Sequence, residues 1–269
     1  MDSATKNFFL SLLVIASFWG CSEDISHKIA TDLTKEAEQF FLVSEVIGEN
    51  SYLGNLTFSD YFRLDTTSLP GCPILTFDSD LRTITLDYDA VESCEQTTLK
   101  ERSGKILIDF SLANSDLETW IVTYQDYHYQ KTKIEGSRIY KRLSTSQNAE
   151  SFENLKITTS ADLHFELKGS FTYFISRFTF RPFAISYIGK MEGINPVGRD
   201  FTLTITEAKE QYINCYSEGW ILPVVGKENW KVSRGDSEIA YQVSYEEAED
   251  CDTQVKAVLP DGRIYSLTP

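Results

Sequence analysis

Apolar and polar residues alternate one for one over most of this chain, the period a half-buried β-strand imposes. In residues 83–88 the apolar positions are Ile84, Leu86 and Tyr88. In 105–112 they are Ile106, Ile108, Phe110 and Leu112, with Lys105, Asp109 and Ser111 on the other face. Residues 118–129 place Trp120, Val122 and Tyr124 on one side, then change phase at Gln125-Asp126 to Tyr127 and Tyr129, which predicts a β-bulge. Further strands are predicted over 132–143, 155–167 and 170–188, around Phe201, Leu203 and Ile205, and over 219–224, 228–232, 238–245, 253–259 and 263–267. Gly136-Ser137 and Gly169-Ser170 read as tight connections or bends between paired strands. Residues 191–199 read as a loop, and Pro260-Asp261-Gly262 as a turn.

One stretch has the helical period instead. Leu33, Ala37, Phe40, Phe41 and Val43 to Ile47 recur at helical spacing, with Thr31 or Asp32 placed to cap the start and Gly48 to stop it. This predicts a helix over about 31–47 that packs an apolar stripe on the sheet, with the period changing to two beyond Tyr52. The fold class expected is mainly β: an antiparallel, hairpin-linked, twisted or curled sheet with one N-terminal helix. No Pro/Ser-rich linker interrupts 31–269, which reads as a single β-rich domain; two similar halves divided near Asn148 are the alternative.

The halves come into question because a unit recurs. Residues 86–110 and 243–267 each hold a strand ending in Tyr (Tyr88, Tyr245), an acidic loop, and a Cys six residues on, followed by an acid (Cys94-Glu95, Cys251-Asp252). Each then has a Gly-basic-Ile start to the next strand (Gly104-Lys105-Ile106, Gly262-Arg263-Ile264), and one more Cys, Cys72 or Cys215, precedes each unit. Four cysteines allow three connectivities. Pairing Cys72 with Cys94 and Cys215 with Cys251 is favoured, because each bridge then brackets one unit.

The fifth cysteine, Cys21, follows an apolar run, Phe8 to Trp19, too short to span a membrane but suited to an export signal. Residues 1–20 read as a lipoprotein signal peptide. Gly20-Cys21 resembles a bacterial lipobox, with Phe18 and Trp19 where that box carries an aliphatic and a small residue, and Cys21 is the expected lipidation site. Residues 21–30 read as a tether beginning with the acidic Ser22-Glu23-Asp24.

Charge narrows the partners. A formal net charge of -15 disfavours nucleic acid. His27 lies in the tether and His128 and His164 in strands, without metal-ligand spacing, and no nucleophile or phosphate-loop motif occurs. No catalytic residue, metal or cofactor is therefore assigned. The acidic loops 87–95 and 246–252 read as solvated loops in preference to calcium sites. Trp120, Tyr124, Tyr127 and Tyr129 are the candidate binding residues, in an aromatic surplus that also includes Phe171, Tyr173, Phe174, Phe178, Phe180 and Phe183. Such a surplus reads either as a surface stripe for glycan or protein or as the core of a curled sheet. Asp65-Thr66-Thr67 resembles an acidic-Thr tripeptide used for bacterial O-glycosylation.

With Cys72-Pro73, the strand ending at Tyr88, Cys94, Arg102-Ser103-Gly104-Lys105-Ile106, Ile134-Glu135-Gly136 and Cys251-Asp252 aligned, the chain resembles a group of uncharacterised outer-membrane or surface lipoproteins of the Bacteroidota. That resemblance implies an exported, β-rich, lipid-anchored protein of the outer membrane at the cell surface, and no substrate. The expected function is a binding or structural β surface without a catalytic site, the partners being the membrane through the anchor and a glycan or envelope protein. The alternatives are a polysaccharide hydrolase with paired carboxylates in a sheet cleft, and a purely structural envelope component.

Overall fold

A computed structural model describes residues 32–91, 93–96, 100–112, 118–178, 181–249 and 251–268. The leader, Cys21, the tether and Phe180 lie outside them. The described residues open with helix α1 (Leu33–Glu49), continued almost directly by α2 (Ser51–Asn55) and α3 (Phe58–Tyr61). The helical path therefore passes through Gly48, the expected stop, and through Tyr52, the expected change of period. Tertiary packing overrides the roughly 1 kcal/mol that glycine costs inside a helix, since Tyr216 donates its hydroxyl to the Gly48 carbonyl at 3.1 Å. A reciprocal cap starts α3. Thr57 Oγ1 accepts from the Asp60 N–H and the Asp60 carboxylate accepts from the Thr57 N–H, at 3.1 and 2.9 Å.

Among the described residues fourteen strands form one antiparallel sheet. They are β1 (Ile74–Asp78), β2 (Thr83–Asp87), β3 (Arg102–Asp109), β4 (Thr119–Tyr129), β5 (Thr132–Glu135), β6 (Ser137–Ser144), β7 (Gln147–Thr158), β8 (His164–Phe178), β9 (Arg181–Ile194), β10 (Asp200–Tyr212), β11 (Val225–Arg234), β12 (Ser237–Glu247), β13 (Thr253–Val258) and β14 (Ile264–Leu267). A short helix, α4 (Ile213–Ser217), sits between β10 and β11. Neighbours in sequence are neighbours in the sheet, except that β5 and β6 share one place between β4 and β7. They are two halves of one rung bent at Gly136, whose φ of 116° suits glycine.

The sheet curls around α1. Phe40 packs on Phe201 of β10, Trp230 of β11 and Tyr241 of β12, while Glu45 and Glu49, further along the helix, bond to β3 and β4 and the turn after it. Inward positions alternate with exposed ones along the strands, and the inward set forms one core with Ala37, Phe40, Phe41, Val43, Val46 and Ile47. β1 and β14 end the sheet at opposite sides and are only five and four residues long, which limits the edge available for pairing with other chains.

The expected bulge is present: Asp126 has φ 47° and the β3–β4 register slips beside Gly104. A Cβ on Gly104 would fall 2.2 Å from the Asp126 carbonyl oxygen, so only glycine fits opposite the bulge. Both disulfides pair as favoured, Cys72 with Cys94 and Cys215 with Cys251, with Cα separations of 5.6 and 5.5 Å. Several strand limits differ. Residues 155–167 contain a turn after β7, where Thr159 Oγ1 accepts from the N–H groups of Ala161 and Leu163, and 170–188 contain the β8–β9 connection. Residues 219–224 are not a strand, β1 is an unexpected one, and Gly169 lies inside β8 under the Phe152 ring rather than at a bend. Asn148, the suggested dividing point, falls inside β7, and the sheet runs through it unbroken.

Candidate functional site

Trp120, Tyr124, Tyr127 and Tyr129, the sequence candidates for a binding surface, are all buried, at 7% exposure or less. They face α1 and α2 rather than solvent, and so form no surface stripe. Trp120 donates its indole N–H to the Gly54 carbonyl at 2.8 Å, Tyr129 donates to Glu45 at 2.7 Å, and Tyr127 donates to Glu49. A curled sheet turns one face of every strand inward, so an aromatic surplus on that face is core. The two described histidines do not converge on a site: His128 is only partly buried and His164 is exposed, each within its own strand. In the acidic loops Asp87 pairs with Lys105 and Glu246 with Lys256, both at 2.8 Å or less, and no described group of three acidic, His or Cys residues could hold a metal ion.

Beneath the aromatics lies a layer of paired charge that anchors the helix to the sheet. Glu36 accepts from Tyr241 and Arg234, Glu49 accepts from Arg102 at 3.2 Å, and Ser44 and Tyr245 surround the Lys209–Glu228 pair. Arg138 makes a bidentate pair with Glu150 at 2.5 and 2.9 Å, and Tyr173 donates to the same carboxylate. Burial raises the Glu45 pKa, the Tyr129 hydroxyl pulls it back, and neighbouring Glu49 adds to the rise. Burial likewise lowers the Lys209 pKa, against the attraction of Glu228. Glu45 and Glu49 are the nearest thing to the carboxylate pair a glycosidase requires, but both are sealed under Tyr127, Tyr129 and Arg102 rather than open to a cleft.

An open site lies at the end of the sheet where α2, α3, α4, the last residue of β8 and the start of β9 meet. There a pocket of about 990 Å³ is lined by Tyr52, Asp60, Arg63, Leu64, Asp65, Ser68, Phe178, Pro182, Phe183, Ile213, Asn214 and Ser217. Phe178 and Phe183 are 78% and 50% exposed, unusual for phenylalanines with a large core at hand. Arg177 of β8 clamps α3 across this end through a bidentate bond to Asp60, at 3.0 and 2.9 Å. Burial pushes the Asp60 carboxyl up, but Arg177 and the Thr57 cap outweigh it and hold the group below the ordinary carboxylate range. The Tyr52 hydroxyl is buried with no hydrogen-bond partner among the described residues.

Only part of this pocket had a signal in the sequence. Phe178 and Phe183 belong to the aromatic surplus, and Thr57-x-x-Asp60 is a cap signature. Asp60 and Arg177 are separated by 117 positions, and nothing local in either announces the other. Compared with known family models, with curated proteins and with solved structures, the chain matches none.

Proposed function

We propose that the protein is an outer-membrane lipoprotein, exported by residues 1–20, anchored through acyl chains on Cys21 at the cell surface, and that it binds a partly apolar ligand in the pocket beside Phe178 and Phe183. The observation that carries binding is the pocket itself: Leu64, Phe178, Pro182, Phe183 and Ile213 line a concavity of about 990 Å³, at the upper end of the range for small-ligand sites. The rest of the interior supports the same location, since its buried ion pairs Arg102–Glu49, Arg138–Glu150 and Lys209–Glu228 are already closed on one another. Anchoring is supported by the apolar run before Gly20-Cys21 and by the four other cysteines being used in disulfides.

Binding is tested with the neutral fluorophore N-phenyl-1-naphthylamine and the purified full chain. It should bind saturably, and Phe183→Asp should weaken it by about tenfold or more, the effect of ~1.4 kcal/mol, with an unchanged circular dichroism spectrum. Equal affinity in the variant, or no binding by the wild type, rejects the pocket. The anchor is tested separately: tagged palmitate should label the wild-type chain in an expressing bacterium and leave Cys21→Ala unlabelled.

A further inference from the structure

We infer that the ligand is a single-chain amphiphile with an anionic head, a fatty carboxylate being the simplest case, held chain-inward with its head at Arg63. The inference rests on the pocket reading above and adds the polarity and direction of the bound molecule. The apolar residues form the walls, and the charged residues are graded by depth. Asp60 is buried and ionised, and its charge is committed to Arg177, so an anionic head pushed to that depth meets a carboxylate with no donor to spare. Arg63 is exposed, and among the described residues its side chain makes no ion pair. Asp65, the other lining carboxylate, is a capping group whose Oδ1 accepts from the Thr67 N–H at 3.1 Å. In a chain of net charge -15, the exposed side of this apolar pocket thus presents, beside the Asp65 carboxylate, a guanidinium that makes no ion pair among the described residues. A guanidinium matches a carboxylate or phosphate in shape and charge, and repels an ammonium.

The test uses the full chain loaded with N-phenyl-1-naphthylamine and displaces the probe with dodecanoate, dodecanol or dodecyltrimethylammonium, the two ions below their micelle concentrations and the alcohol below its solubility limit. Dodecanoate should displace the probe at about one tenth the concentration needed for dodecanol, as a charge-assisted hydrogen bond predicts, and the cation should be weakest. In Arg63→Gln the dodecanoate-to-dodecanol ratio should fall to near one, and Arg63→Lys should restore part of it. Because each ratio is taken within one protein, a general loss of affinity does not imitate the effect. Probe binding with equal displacement by all three amphiphiles overturns the anionic head and leaves the pocket reading standing. A preference for dodecanoate that survives Arg63→Gln overturns the assignment to Arg63. No probe binding at all removes both.

Discussion

Arg138 and Glu150 carry opposite charges at 0% side-chain exposure, and their effect on stability differs sharply between deleting one and replacing both. Removing one partner strands a buried ion, which costs about 3–5 kcal/mol, whereas a well-packed apolar pair of similar size is often neutral or stabilising. Glu150→Ala should therefore lower the urea-unfolding free energy by that amount, and the double variant Arg138→Met, Glu150→Leu should recover most of it. A single variant as stable as the wild type would mean that the pair is not closed to water. Glu45 presents the opposite case, a carboxyl whose pKa is raised in the folded chain, chiefly by burial. The native state then binds that proton more tightly than the unfolded chain does. Its contribution to stability is fully present below the ordinary glutamate pKa and falls away as pH rises towards the raised one. Glu45→Gln keeps an acceptor for Tyr129 and has no proton to lose. Measured by urea unfolding from pH 4 to 7.5, its stability relative to the wild type should climb with pH; a flat or falling difference would show that Glu45 stays ionised at no cost.

At the scale of elements, the two bridges close sequence separations of 22 and 36 residues and act on separate parts of the sheet. Cys72–Cys94 ties the segment before β1 to the loop after β2, and Cys215–Cys251 ties α4 to the turn after β12. Chain entropy assigns about 3.4 and 3.8 kcal/mol to loops of these lengths. Replacing either pair by serines should cost roughly that much, and replacing both should cost close to the sum, by the same urea measurement. This pairing was legible because each bridge joins the Cys inside one visibly repeated unit to the Cys just before it. The strands were legible where alternation is bounded by turn residues, as in β2, β3, β12 and β13. They were not where polar turn residues continue the alternation, as across Thr159 to Leu163 after β7. The short helices α2 and α3 escaped for another reason: they are held by distant partners, with Trp120 bonding to Gly54 across 66 positions. The same holds for the pocket, whose walls come from three stretches far apart in the chain.

For the molecule as a whole, the decisive feature is that the second half of α1, continuously buried from Val43 to Glu49, is enclosed rather than laid on one face of the sheet. Glu36, Ser44, Glu45 and Glu49 are spread around α1 at positions where an exposed helix would leave polar groups wet, yet all four are buried and hydrogen-bonded to strand residues. Polar residues on several sides of one helix, facing inward tyrosines, were the signal that the sheet curls around it, and periodicity alone could not separate them from wet positions. Enclosure makes helix and sheet one cooperative unit, since strands on both sides of α1 lose their packing partner if it leaves. Phe40 is the place to test this, because its ring meets β10, β11 and β12 at once. Phe40→Ala should cost about 3–5 kcal/mol, as the loss of a fully buried ring does. Its urea transition should move equally when followed by far-ultraviolet circular dichroism, which reports the strands, and by tryptophan fluorescence, to which Trp230 beside Phe40 and Trp120 beside α2 contribute. Two transitions, with the dichroism surviving after the fluorescence change is complete, would mean that the sheet holds its curl without the helix and that α1 is a removable plug rather than the centre of the fold.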